Sequence, residues 1–234
     1  MKTLWLRVRA PFAAFRGFQA GVYRATSPVM PPSTAYGLVL NLAGIEMRAP
    51  TPGPTTLIRG DVPKLRIAIG VVSSAERGSL YQQLHSYPVG NSGKELAART
   101  HGAKYWIVPV RRELLIGLDV IIGVQSEEDG LFDRIQRGLR GELNEPRYGL
   151  PFAGDNNFLF DRIDVVEDPS AVTHWYTRIQ PNDPPRKGSC RLTVGINRTD
   201  NSKTSSFLYA PSEEVSPSPP DTAWTWTPHP PDGA

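Results

Sequence analysis

The chain has 234 residues, 39% of them hydrophobic, a formal net charge of +3 and a single cysteine, Cys190. That length is enough for one large domain, or for a domain with an elaborate insertion; the lone cysteine excludes an internal disulfide, and His85, His101, His174 and His229 lack the spacing of a zinc site. No run approaches about 18 consecutive apolar residues, and Arg7 and Arg9 interrupt the amino-terminal apolar stretch, so the expectation is a cytoplasmic protein without membrane span, secretion signal, metal or cofactor.

Charge is unevenly spread. From Pro211 onward the chain holds Glu213, Glu214, Asp221 and Asp232 with no Lys or Arg, which leaves −4 on that tail and +7 on residues 1–210. A basic body with an acidic, proline-rich tail favours a polyanionic partner, with simple solubility charge as the alternative. Between Met1 and Ile45 there are five Lys or Arg and no Asp or Glu, with Phe12, Phe15, Phe18 and Tyr23 interleaved. That mixture suits phosphate contacts plus base stacking; the plainer alternative is a helix packed on a sheet beside a solvated basic loop.

Taken in chain order, residues 3–10 alternate Leu4, Leu6 and Val8 against Trp5, Arg7 and Arg9, predicting a strand that Pro11 ends. A loop through Pro28 leads to a helix with Pro31 and Pro32 in its first turn, Ala35, Leu38 and Leu42 on one face, and a stop at Gly44. Leu65, Ile67, Ile69 and Val71 at period two predict a second strand, and residues 79–103 an extended loop or protruding hairpin. Residues 105–110 and 114–124 read as two strands around Arg111-Arg112-Glu113, with Pro109 at an edge or bulge. Ser126 is a candidate cap for a helix with an acidic first turn, Glu127, Glu128 and Asp129, and with Leu131, Ile135, Leu139 and Leu143 stacked four apart. Residues 158–166 supply another strand. Strand, helix, strand, insertion with strand, helix, strand is the split βαβ, ferredoxin-like order, whose sheet leaves one face free for RNA. Residues 171–210 read as a β-rich appendage, and residues 211–234, with seven prolines, as a disordered tail in which Trp224 and Trp226 are available to a partner.

Motifs for other chemistries fail on inspection. Gly90-Asn91-Ser92-Gly93-Lys94 lacks the earlier glycine of a phosphate loop, Pro88 standing there, and Glu95 replaces the magnesium-binding hydroxyl. Arg16-Gly17-Phe18 opens like an RNA-recognition consensus, but Gln19, Ala20 and Gly21 break it. No serine-hydrolase elbow, zinc-protease helix or carboxylate pair is present. One enzymatic alternative stays open: a metal-independent ribonuclease drawing its acid, base and cation from Tyr36, His101 and Lys104.

Two regions carry a family resemblance. The first runs from Phe15-Arg16 to Ser33-Thr34-Ala35-Tyr36-Gly37-Leu38; the second joins Asn144-Glu145-Pro146-Arg147-Tyr148-Gly149-Leu150 to Pro151-Phe152-Ala153-Gly154-Asp155-Asn156-Asn157. On these the chain resembles the fifth CRISPR-associated family of type I Cascade, in the RAMP superfamily, whose members cap the 5′ handle of crRNA. Its second segment departs from the commoner Tyr-Leu-Gly-Arg pattern and looks closer to the type I-B-like branch. The resemblance implies an α+β, ferredoxin-like (RRM-like) βαββαβ domain over residues 1–170, with a β-hairpin thumb within residues 74–104. It implies a noncatalytic role: gripping the crRNA handle, sitting at the foot of the Cascade backbone, contacting the large subunit, and meeting target DNA in the assembled complex. One branch of the family processes crRNA itself, which keeps the endoribonuclease alternative. On this reading Arg16, Arg24, Lys94, Arg99 and Lys104 would hold phosphates. Phe15 or Tyr36 would stack a splayed base, Tyr36 being alternatively a core residue, and Ser33 would take a phosphate oxygen or simply cap the helix. His101 would touch a phosphate or a base, and Arg147, Tyr148 and Asn157 would contact RNA unless their glycine-rich segment is only a turn.

Overall fold

The computed structural model of the protein describes residues 2–17, 22–50, 56–86, 106–184 and 186–230. Its strands are β1 (Lys2–Ala13), β2 (Tyr23–Arg24), β3 (Leu65–Ser73), β4 (Glu76–Ser86), β5 (Trp106–Ser126), β6 (Arg162–Val166), β7 (His174–Arg178), β8 (Cys190–Gly195), β9 (Ser205–Pro211) and β10 (Thr225–Thr227). Two α-helices interrupt them, α1 (Pro32–Leu42) after β2 and α2 (Leu131–Arg140) after β5. The architecture is α+β, a mostly antiparallel sheet whose central strands lie in the order β6-β1-β5-β3 and continue through β7, β9 and β8.

Alternation in β1 works as the sequence suggests: Leu4, Leu6 and Val8 are buried in the main core. The strand nevertheless runs past Pro11. Proline lacks the amide a ladder needs, and here the ladder asks for none: the register pairs Ala10 with Leu118 and Phe12 with Ile116 but leaves Pro11 out, and β6 already stops at Arg9. Gly117, the residue across from that gap, sits at φ +74, a conformation that favours glycine and fits a bulge. A second departure concerns Arg111-Arg112-Glu113, which do not separate two strands. They lie inside the single 21-residue β5, whose amino-terminal half pairs with β4 from Ser86↔Trp106 to Glu76↔Ile116 and whose carboxy-terminal half lies between β1 and β3. Charged residues are tolerated at these positions because Arg111 is exposed and the half-buried Arg112 and Glu113 have hydrogen-bond partners.

α1 is apolar nearly all round because it is covered on more than one side. Ala35, Leu38, Val39 and Leu42 are buried, and the Tyr36 hydroxyl donates to the Pro63 carbonyl at 2.8 Å. Gly138 of α2 meets α1 so closely that a Cβ there would lie 1.8 Å from the Leu42 carbonyl oxygen, while the Arg134 Nε donates to the Ala43 carbonyl at 2.9 Å and satisfies the end of α1. α2 itself starts at Leu131, later than Ser126 suggested: the Ser126 hydroxyl accepts from the Glu128 amide at 3.0 Å in a turn, and Asp133 is the acid of the first helical turn.

The far face of the sheet is not free. Trp175, Val172 and Ala223 form a second small core with Ala68 and Ile121, joined by Trp5 and Trp224. Trp5 stands 6.0 Å, centroid to centroid, from both Trp175 and Trp224, and a Cβ on Gly123 would strike both Trp5 and Trp224. The tail, expected to be disordered, therefore folds through residue 230. β10 pairs with the edge of β3, Thr225↔Ile67 to Thr227↔Leu65, the Thr227 hydroxyl donates to the Val194 carbonyl at 2.7 Å, and Trp224 is spent on the sheet. Beyond β3 the same sheet continues through β7, β9 and β8, antiparallel throughout.

Candidate nucleic-acid interface

Adjacent residues of a strand point to opposite faces, and Arg112 and Glu113 of β5 use this to grip the segment that follows β1 from both sides. On one face the Arg112 Nη1 donates to Asp155 Oδ2 at 3.3 Å, and Arg16 donates to the same oxygen. Asp155 is nearly buried, and its other oxygen accepts from the backbone amide and the side-chain amide of Asn157, at 3.1 and 2.8 Å. On the other face Glu113 accepts from the Tyr23 hydroxyl at 2.7 Å and from the Thr26 amide at 3.1 Å. Burial alone would raise the Glu113 carboxyl; these hydrogen bonds and the charges of Arg77 and Arg111 bring it below the ordinary value.

The glycine-rich segment is held by the same device. Ala14 donates its amide to the Ala153 carbonyl at 3.0 Å, and Gly154, at φ +81, comes so near that a Cβ would lie 2.3 Å from the Ala14 carbonyl oxygen. This close passage delivers Asp155 to Arg16.

One buried carboxylate does not balance the cations around it. Arg16, Arg24 and Arg112 are neighbours: burial first, then the charges of Arg112 and Arg24, pull the Arg16 guanidinium below its usual value in spite of Asp155. The Nε atoms of Arg24 and of Arg112 are both buried without a partner among the described residues. Three guanidinium groups gathered around one carboxylate concentrate positive charge, which is chemistry fitted to a phosphodiester.

The opposite face of the same strands carries a different chemistry. β2, β4 and β5 bring Tyr23, Arg111 and Tyr81 into one cross-strand row, Tyr23↔Arg111↔Tyr81. Both tyrosines are exposed, Tyr81 by 72%, and the Arg111 Nε donates to the Ser79 hydroxyl at 3.2 Å. Two open rings flanking a guanidinium suit stacked bases.

Of the residues singled out from the sequence, Arg16, Arg24 and Asn157 come together around Asp155. Phe15 and Tyr36 are core residues, 1% and 3% exposed; burial pushes the Tyr36 hydroxyl above its usual pKa, and neither ring offers a face to a base. Ser33 lies inside the first turn of α1, after Pro31 and Pro32, and faces a cleft of about 740 Å³ that Arg16, Ser27 and Thr34 also line. Tyr148 lines a groove of about 810 Å³ along α1, where the Arg48 guanidinium sits 3.0 Å above its ring, and the Arg147 carbonyl accepts from the Gly149 amide in the adjoining turn at 3.0 Å. Lys94, Arg99, His101 and Lys104 lie outside the described residues. Sequence reasoning missed Arg112, Asp155, Tyr81 and Arg111. The alternation of faces within Arg111-Arg112-Glu113 was the available signal, and it is readable only once those residues are placed in one strand.

Among the described residues no group of three or more His, Cys, Asp or Glu is arranged to hold a metal, and no helix is long and apolar enough to cross a membrane.

The family model described as CRISPR-associated protein (Cas_Cas5) matches residues 3–141, from β1 to the end of α2. The chain belongs to the Cas_Cas5 family of CRISPR-associated proteins. No curated protein matches it. Among solved structures, a chain titled "CRISPR RNA-guided surveillance complex" is 16% identical with a TM-score of 0.54, the alignment covering 90% of this Cas_Cas5 protein and 92% of that chain; at this identity the likeness is one of fold. A second, titled "Crystal structure of Cas protein", is 13% identical over 92% and 94% of the two chains, with a TM-score of 0.45. The Arg112 and Arg16 partners of Asp155 fall within the matched residues, whereas Asp155 and the C-terminal strands lie beyond them.

Proposed function

We propose that this protein is the noncatalytic subunit of a type I CRISPR Cascade complex, of the type I-B-like branch, that caps the crRNA 5′ handle and contacts the backbone and large subunits during RNA-guided targeting of DNA. Its core is then ferredoxin-like, a reading supported by the β6-β1-β5-β3 order with α1 and α2 in the connections, and the paired β4 and β5 are the arms of the thumb. The observation that carries the proposal is the unbalanced Arg16, Arg24 and Arg112 cluster, with the Tyr23–Arg111–Tyr81 row behind it as the stacking surface that Phe15 and Tyr36 do not supply. An endoribonuclease gains no support from Tyr36, whose hydroxyl is committed to Pro63.

The test is binding of the purified protein, at several salt concentrations, to crRNA bearing its 5′ handle and to the same RNA without it. Handle-dependent affinity with a steep salt slope, weakened by Arg16→Gln, is the expected result. Equal affinity for both RNAs overturns the capping role, and cleavage of the RNA in EDTA overturns the noncatalytic one.

A further inference from the structure

The cleft in front of Ser33 has two walls from distant parts of the chain. One is the segment after β1 with the start of α1, contributing Arg16, Ser27, Ser33 and Thr34; the other is the C-terminal appendage, contributing Arg191 of β8 and Arg198 from the β8–β9 connection. Three arginines and no acidic residue line this space among the described residues. Arg191 spends one nitrogen on the Ser206 carbonyl, at 3.3 Å, and Arg198 has no ion pair or hydrogen bond among the described residues. Pro31 and Pro32 have no amide hydrogen, so the first N–H of α1 belongs to Ser33. A volume of about 740 Å³ accommodates a nucleotide unit.

We propose that the β8–β9 unit is the second half of an RNA site: Arg191 and Arg198 close on a strand whose phosphates lie against Arg16 and the start of α1. The proposal rests on the RNA-binding reading above and extends it to a region outside the residues that define the family match. A protein segment is the less favoured occupant, because three guanidinium groups and several hydroxyls with no acidic residue beside them among the described residues match the phosphates and ribose hydroxyls of a strand. The junction with the apolar groove along α1 is also marked by Arg198, which lines both spaces, so a strand leaving the basic cleft has a path over Tyr148.

The test uses the full chain and a dye-labelled oligouridylate, with affinity followed against salt for wild type, Arg16→Gln, the double variant Arg191→Gln/Arg198→Gln, and Arg198→Lys. Each lost phosphate contact lowers the slope of log affinity on log salt by about 0.7 for a single strand, so the double variant is expected to lose roughly 1.4 while Arg198→Lys keeps its share. Both arginines are exposed, and an unchanged melting temperature shows that the fold is intact. A slope unaltered in the double variant but reduced in Arg16→Gln overturns this inference and leaves the RNA-binding reading standing. Reduction in the double variant alone supports the appendage and removes Arg16 from the site; no salt-dependent binding by wild type overturns both.

Discussion

Asp155→Asn isolates what the arginine cluster needs from its one buried acid. The substitution keeps shape and one acceptor for Asn157 but removes the charge that holds Arg16 and Arg112, whose side chains are 29% and 16% exposed around a carboxylate exposed by 6%. Removing one member of a buried ion pair costs about 3–5 kcal/mol, and the retained amide oxygen puts the expectation near the bottom of that range, about 3 kcal/mol. In a chain of this length, each kcal/mol lowers the melting temperature by about 2–4 °C, so thermal unfolding should shift down by roughly 6–12 °C. Arg112→Met alone leaves Arg16 on Asp155 and removes a guanidinium whose Nε is already buried without a partner, so its cost is smaller. The double variant should be more stable than the sum of the two losses by about 1–3 kcal/mol, because the second substitution removes the cation the first left uncompensated. An Asp155→Asn protein melting within about 2 °C of wild type, or strict additivity, would refute the reasoning.

Three other substitutions or modifications address separate parts of the molecule. Tyr81→Ala should weaken handle RNA by about 1–3 kcal/mol, the worth of one stacked base, without altering the salt slope, since no charge is lost; fluorescence anisotropy reads both quantities. Trp224→Ala should cost about 2–3 kcal/mol, less than a fully buried tryptophan, in chemical denaturation, and should expose residues after Pro211 to protease; no change in either would mean that the tail does not hold the sheet. Burial pushes the Cys190 thiol up to about 11, so at pH 8 its alkylation by iodoacetamide should be on the order of a hundredfold slower than that of an ordinary thiol and should rise steeply only as the pH approaches that value.

The periodic elements were legible because each has one dominant partner. Leu4, Leu6 and Val8 all face the same core, and Ile135 with Leu131 marks the inner side of α2. Legibility failed where a segment answers to something distant. Pro11 reads as a strand end until Gly117 stands opposite it, and Trp224 reads as an unstructured tail residue until Gly123 provides the gap into which its ring fits. A proline-rich stretch without period has no internal signal for a strand as short as β10, whose three residues are specified by the free edge of β3 and by the Val194 carbonyl.

The site is harder to read than the fold for a related reason: its decisive feature is an imbalance, and an imbalance belongs to a place and not to a segment. The run from Met1 to Ile45 is uniformly basic in sequence, yet Arg7 is neutralised by Asp119 at 2.7 Å, so that cation is structural, and Arg9 shares Asp164 with Arg162 of β6. Arg16 has a carboxylate too, but shares it with Arg112 and lies beside Arg24, and the positive charge left over collects there. What sets the Arg16 group apart is that three guanidinium groups, those of Arg16, Arg112 and Arg24, gather around one buried acid. Asp155 is 139 residues from Arg16 and 43 from Arg112, so this ratio comes into being only when Gly154 passes against Ala14 and brings all three together.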